Sequence, residues 1–457
     1  MIARRDASPS PVRLGRYRYS KLRWRVLVGV LDAIGAVLTA FYRKLKPPRR
    51  VHAPRRIVVV QLDHLGDAVL SSPLFPRLKQ IYPEATIDVV ASPSNHAVFE
   101  ADPHVRRVHL AAKNWFERRR GGWALGSAVW TLGRKLRTYQ YDLGIDVRGD
   151  VLTVVTLAIA GIPRRLGWAM GGGGFLLTDI ADWVPGRHEA KARMALLSVL
   201  DRDRSALERG RATGDAIKMH VYVSDRDRSR ILRRLIQTWP GDSGSGSAYE
   251  SIDVRALKAT FADGGGAGSS SASGAGVVKK RSRGAGKLLV AHLGAGTSAK
   301  RWPIEHWREL IGRFLGDGWR VVIVGGATEL EGGYSLDAHP SLADWTATLT
   351  VAESTALMEI ADLFIGSDSG PAHLAAAAGV VSVILFSGTN RASQWRPWSR
   401  RSLIVRRPTP CGPCHQKNCP IFNHPCMSFI SPDRVYRAAY RWTARIRDTE
   451  SSHVSIG

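Results

Sequence analysis

Gln61-Leu62-Asp63-His64-Leu65-Gly66-Asp67-Ala68-Val69-Leu70 follows the run Arg56-Ile57-Val58-Val59-Val60, and the join between the two decides the fold. A β-branched apolar run of that length reads as a strand buried on both faces, the signature of a parallel sheet. The chain breaks at a glycine and then reads as a helix from about Asp67 to Tyr82. Three ionisable side chains, Asp63, His64 and Asp67, therefore stand where a buried strand hands over to a helix. In open α/β sheets that is where ligands sit.

Outward from this join, strands and helices alternate. Ile57–Gln61, Thr86–Ala91 and Val105–Leu110 read as strands with helical stretches between them, and Asp142–Val147 and Leu152–Ala160 continue the pattern as strand and helix. From Lys287 a second series begins, with strands at Leu288–His292, Arg320–Val324, Leu363–Gly366 and Val381–Phe386, and helices at Ile304–Leu315, Val351–Ala361 and Pro371–Ala378. The fold class is α/β, two Rossmann-like doubly wound domains facing a central cleft. The expected boundaries are a basic N-terminal segment (1–54), a first Rossmann-like domain (55–220) and a Gly/Ser-rich flexible linker (221–286). A second Rossmann-like domain (287–431) follows, then a C-terminal helix crossing back onto the first domain, with a tail (432–457). The linker includes GDSGSGS, GGGAGSSSASGAG and the basic patch Lys279–Arg283, a composition that buries no core. The pairs Asp201/Asp203 and Asp225/Asp227 have D-x-D spacing, but each alternates with arginine and reads as a solvated helical face.

The formal net charge is +27, which calls for a polyanionic partner. Residues 1–56 carry fifteen Arg and Lys against Asp6 and Asp32, a net of +13. No interleaved aromatic and basic motif of a nucleic-acid module occurs, so the expected anion is a membrane surface rather than nucleic acid. Val26 to Tyr42 is an apolar run of 17 residues interrupted by Asp32 and flanked by basic residues. That is short for a span and suits a helix lying in the interface of the cytoplasmic membrane face. An amphipathic helix packed on the protein's own surface is the competing reading.

Three loops of the second domain carry the chemistry. His292-Leu293-Gly294-Ala295-Gly296-Thr297-Ser298-Ala299-Lys300-Arg301-Trp302-Pro303 offers backbone N–H groups, the hydroxyls of Thr297 and Ser298, and the point charge of Lys300 after a strand, a setting for phosphate. A glycine turn with an incidental lysine is the plain alternative. Gly366-Ser367-Asp368-Ser369-Gly370-Pro371-Ala372-His373 joins a buried strand to a helix with proline in its first turn. Such an N-terminus attracts phosphate, with Ser369, Gly370 and His373 around it. Asp368 would repel phosphate and suits sugar hydroxyls, or else caps the helix. Glu329, after Val324-Gly325-Gly326-Ala327-Thr328, is placed to accept from ribose hydroxyls. No G-x-G-x-x-G follows either first strand and no Walker lysine motif occurs, which favours a nucleotide-diphosphate sugar over a dinucleotide.

The DHLGD loop, the GTSAKRWP–EHW element, the SDSGPAH element and the cysteine-rich tail, in that order, resemble the bacterial lipopolysaccharide heptosyltransferase family (glycosyltransferase family 9), over about residues 55–200 and 287–440. The resemblance implies a GT-B fold, an inverting transfer without metal or other cofactor, an ADP-heptose-like nucleotide-sugar donor and a lipid A–core-like glycolipid acceptor. It matches Asp67 to the catalytic base, Lys300 to the donor diphosphate, Asp368 to the donor sugar and Leu349 to the adenine contact. His64 and Arg148 are candidate acceptor contacts, Asp63 and His64 being alternatively simple loop formers.

An acceptor hydroxyl that attacks an anomeric carbon must lose a proton, and the departing diphosphate needs positive charge. Asp67 suits the first need, with a simple helix N-cap as its plain alternative, and Lys300 with the helix at Pro371 suits the second. The cysteines Cys411, Cys414, Cys419 and Cys426 have spacing compatible with zinc, but packing, redox-sensitive pairing or adventitious metal is together favoured over structural zinc. A nucleotide-sugar epimerase and a non-catalytic nucleotide-sugar-binding scaffold on the membrane are the rival functions.

Overall fold

The run after Arg56 is buried residue by residue and forms β1 (Arg56–Gln61) at the centre of a sheet. The computed structural model describes residues 17, 21–45, 51–111, 122–204, 217–240, 286–327 and 336–454. They divide into two units, Met1–Ile217 and Lys218–Gly457.

In the first unit an N-terminal helix, α1 (Leu22–Leu45), precedes β1. Then come α2 (Leu65–Ser71), α3 (Leu74–Ile81), β2 (Thr86–Ala91), β3 (Arg107–Leu110), α4 (Gly122–Arg137), β4 (Leu143–Asp146), α5 (Val151–Ile159), β5 (Arg164–Gly167), β6 (Asp179–Ile180) and α6 (Glu189–Arg204). The sheet is parallel, in the order β3-β2-β1-β4-β5-β6. Strand order reverses between β1 and β4, which places the topological switch point at their carboxyl ends. Val58, Val60 and Leu62 pack with Val90, Leu136, Leu157 and Ile162 under α4 and α5. The single helix expected from Asp67 to Tyr82 is two helices. Pro73 lacks an N–H and cannot continue α2, so the chain restarts as α3.

Helix α1 is docked along one stripe. Asp32, which interrupts the apolar run, is 2% exposed and accepts hydrogen bonds from Gly173 N (2.8 Å) and Tyr17 Oη (3.0 Å). Gly35 meets the ring of Phe175 so closely that a Cβ there would lie 2.5 Å from it, and Arg43 donates to Leu177 O at 2.9 Å. The opposite face leaves Trp24, Leu27, Leu31, Ile34, Leu38 and Phe41 exposed. By length and hydropathy the helix could cross a membrane. A polar residue hydrogen-bonded in its middle to the protein's own loop suits one held on a surface.

The second unit begins with α7 (Asp225–Thr238), followed by β7 (Leu288–His292), α8 (Ile304–Gly316), β8 (Arg320–Ile323), β9 (Leu342–Asp344), α9 (Val351–Ile360), β10 (Leu363–Ser367), α10 (Gly370–Ala377), β11 (Ser382–Phe386), β12 (Ser402–Arg406) and α11 (Pro432–Val454). Its parallel sheet runs β12-β11-β10-β7-β8-β9, which repeats the order of the first with a switch point between β7 and β10. Trp302, Trp307, Phe314, Ile365 and Leu385 fill its core.

Two expected boundaries change. Residues 225–238, assigned to the linker, are an ordered helix of the second unit. Ser224 caps α7, and Arg228 forms a buried bidentate pair with Glu359 of α9, at 2.7 and 3.0 Å. The alternating Asp and Arg hid a face carrying Ile231, Leu232 and Leu235, which are buried. The C-terminal helix, expected to cross back, has its packing within the second unit. Tyr440 of α11 stacks on Phe314 and accepts from Trp319 Nε1 at 2.9 Å, while Trp442 Nε1 donates to Arg401 O. The Gly/Ser tracts and Lys279–Arg283 lie outside the described residues.

Candidate active site

The first switch point gathers two carboxylate–arginine pairs. Asp63 leaves β1, and Arg148, just beyond β4, holds its Oδ1 at 2.6 Å while its Nε lies 3.3 Å from Asp150. Backbone bonds shape that loop, since buried Asp146 accepts from Arg148 N and Gly149 N, and Asp150 caps α5. Gly149 has φ +71°, and Gly171 lies so near it that a Cβ would fall 1.9 Å from Gly149 O. Only glycine allows the loops after β4 and β5 to touch there.

Asp67 does not cap its helix. The N-cap of α2 is His64, without a side-chain bond, and Asp67 sits in the first turn. Its Oδ1 receives Arg193 Nη2 of α6 at 2.7 Å. Burial and the Asp67 charge push the Asp63 carboxyl up to about 6, against the pull of Arg148, Arg193 and His64. Burial, with smaller pushes from the Asp150 and Asp63 charges, raises Asp146 to about 7. His64 is exposed at the rim.

The second switch point holds the other ionic pair. Lys300 Nζ lies 2.8 Å from Asp368 Oδ2 and 3.1 Å from Asp368 O. The lysine follows β7 and the aspartate follows β10, neighbours in the sheet. The expectation gave Lys300 to phosphate and Asp368 either to sugar or to a cap. The structure joins them to each other, and the N-cap of α10 is Ser369, whose Oγ lies 3.1 Å from His292 Nδ1. Gly370 opens α10 and His373 is buried in its first turn. Thr297 and Ser298 sit at the head of the Lys300 turn. Leu349 is half-buried before the Thr350–Glu353 capping box of α9, and Glu329 lies outside the described residues.

Sequence reasoning missed what braces the Lys300 loop. The cysteine-bearing segment lies on it, with Lys417 O accepting from Ala299 N (3.0 Å), Asn418 Oδ1 from Ser298 Oγ (2.6 Å), and His424 Nε2 3.1 Å from Ala299 O. The same segment bonds the loop after β11 through Cys414 N to Gly388 O and His415 N to Thr389 O. All four cysteines are free thiols, and burial pushes Cys426 up. Among the described residues no three His, Cys, Asp or Glu side chains are gathered to hold a metal ion. Arg193 was also missed, because nothing local in the sequence ties residue 193 to residue 67.

Two doubly wound sheets, each with an ionic pair at its switch point, define a GT-B type α/β protein. The E. coli ADP-heptose lipopolysaccharide heptosyltransferase II structure has the same fold, with a TM-score of 0.61 at 19% identity, covering 86% of this chain and 99% of that one. A family 9 glycosyltransferase from Veillonella parvula gives 0.62 at 20% identity, covering 86% and 97%. Residues 266–424 match the family model for glycosyltransferase family 9 (heptosyltransferase). Lipooligosaccharide heptosyltransferase 2 of Campylobacter jejuni is 30% identical over 165 residues, 34% of this chain and 50% of that protein. The chain thus spans about half the length of that curated relative. Lipopolysaccharide heptosyltransferase 2 of Salmonella typhimurium is 23% identical over 395 residues, 83% of this chain and 96% of that protein. Over residues 266–424, then, the chain is similar to glycosyltransferase family 9, and over most of its length it shares the fold of heptosyltransferase II.

Proposed function

We propose that this protein is an inverting glycosyltransferase. It moves a heptose-type sugar from an ADP-linked donor to a glycolipid acceptor of the lipopolysaccharide-core class, on an anionic cytoplasmic membrane face. The observation that carries the reading is the Lys300–Asp368 pair at the β7/β10 switch point, beside the N-terminus of α10. A lysine next to exposed helix N–H groups receives a diphosphate, and the adjoining carboxylate then accepts from sugar hydroxyls.

In the first unit Asp67 takes the proton of the acceptor hydroxyl as its oxygen bonds the anomeric carbon. The bond from that carbon to the diphosphate oxygen breaks, and its electron pair leaves with the diphosphate, whose growing charge Lys300 and α10 stabilise. The exposed apolar face of α1 supports attachment in the lipid interface, with the exposed Lys21, Arg23, Arg25 and Lys44 at headgroup level.

Asp67→Asn tests the reading. Transfer should fall on the order of 10²-fold or more, while ADP binding measured by calorimetry stays unchanged. Wild-type turnover in the folded variant would remove Asp67 from the mechanism.

A further inference from the structure

Arg193 is a charged side chain buried where the chemistry does not itself require one. It lies on the second turn of α6, is 3% exposed, and touches two carboxylates, Asp67 Oδ1 at 2.7 Å and Glu189 Oε2 at 3.1 Å. Its Nε is buried without a hydrogen-bond partner. The helix has no need of it for docking, because α6 packs on α2 and α3 and buries Leu196, Leu197 and Leu200. A buried ion pair is a poor source of net stability, and an apolar side chain in its place would often serve the core as well. What a planar guanidinium adds is direction.

We propose that Arg193 is the positioning residue of the transfer, holding the Asp67 carboxylate in its reactive orientation; the proposal rests on the reading of Asp67 as the base. Asp67 is in the first turn of the short helix α2, followed at once by the break at Pro73, so its own backbone is a weak support. Arg193 takes only Oδ1, and Oδ2 is the oxygen left to receive the acceptor proton. Glu189, one turn earlier on α6, braces the guanidinium from its other nitrogen, so the fork cannot swing. The same cation lies near Asp63 and offsets part of the mutual repulsion of the two aspartates. A misdirected base loses rate without loss of substrate affinity.

Arg193→Ala would strand two half-buried carboxylates and risks unfolding, so the test uses Arg193→Lys and Glu189→Gln. Lysine retains the charge but is a point donor that cannot hold two carboxylates in one plane. The expected result is a melting temperature near wild type, kcat down about tenfold, and donor KM unchanged, with several-fold loss for Glu189→Gln. In the Asp67→Asn background Arg193→Lys should cause no further loss of the residual rate. Wild-type kcat in both folded single variants, or an equal additional loss in the Asp67→Asn background, overturns the proposal. Wild-type turnover by Asp67→Asn alone overturns the base assignment and this inference with it, and that single variant identifies the failure as lying in the base assignment.

Discussion

Asp32→Ala separates the docking of α1 on the protein from the lipid attachment proposed for it. The substitution removes a buried acceptor shared by Gly173 N–H and the Tyr17 hydroxyl. Each stranded donor costs about 1–3 kcal/mol. Against that, the carboxylate is itself disfavoured where it sits, since burial raises the Asp32 pKa despite the donors around it. Removing an uncomfortable charge returns part of the loss, and the small cavity left behind admits water to one of the donors. The net destabilisation should be about 2–3 kcal/mol. It should be local, falling on the contact between α1 and residues 168–177. Hydrogen exchange should accelerate there, and denaturant unfolding of the first unit should shift to lower concentration. Co-sedimentation with anionic vesicles should be unchanged, because Trp24, Leu31, Leu38 and Phe41 lie on the other face. Asp32→Asn keeps one acceptor and should recover about half the loss. Wild-type exchange at residues 168–177 in Asp32→Ala would show that the hydrogen bonds do not hold the helix. The same docking means that deleting residues 1–50 uncovers Gly172 and Phe175, so a truncated protein should lose stability as well as the proposed lipid attachment.

Three further outcomes follow from the geometry. On the proposed function, Lys300→Ala should weaken ADP binding and slow transfer together, since a lysine at the diphosphate would act in both ground and transition states; unchanged ADP affinity in calorimetry would reassign the loop. Glu359→Ala leaves the buried Arg228 guanidinium without its bidentate partner and should cost about 3–5 kcal/mol, seen in denaturant melts as loss of α7 from the second unit. Asp146 is pushed up to about 7, above its unfolded value, so the stability it contributes is present below pH 4 and is lost as pH rises through about 7. Asp146→Asn should therefore flatten the fall in stability between pH 5 and 8, and an unchanged slope in denaturant titrations would count against the burial of that carboxyl.

Much of the fold is local information. Five consecutive buried positions from Ile57 to Gln61 cannot be satisfied except inside a sheet covered on both faces, and Leu288–His292 repeats the condition. The loops that follow each strand were legible for the same reason, as glycine and small residues mark where a buried strand turns into a helix. Asp67, Lys300 and Asp368 were thus visible as candidates before any contact was known.

What those residues touch was not local. A one-dimensional pattern places Asp67 at a strand end but cannot say that a helix 126 residues away supplies its arginine. Lys300 and Asp368 each read as separate ligand groups, and they meet because β7 and β10 are neighbours in the sheet. Composition concealed α7, whose polar surface looked like linker, because only the partner Glu359 explains a buried arginine at 228. Asp32 read as an interruption of an apolar run, whereas in three dimensions it is the attachment point of that run, its carboxylate bonded to Gly173. Hydrophobic period and turn chemistry act over neighbouring residues and survive in the sequence. Ion pairs and buried hydrogen bonds join residues that only the completed fold brings within 3 Å, and so they belong to the tertiary structure alone.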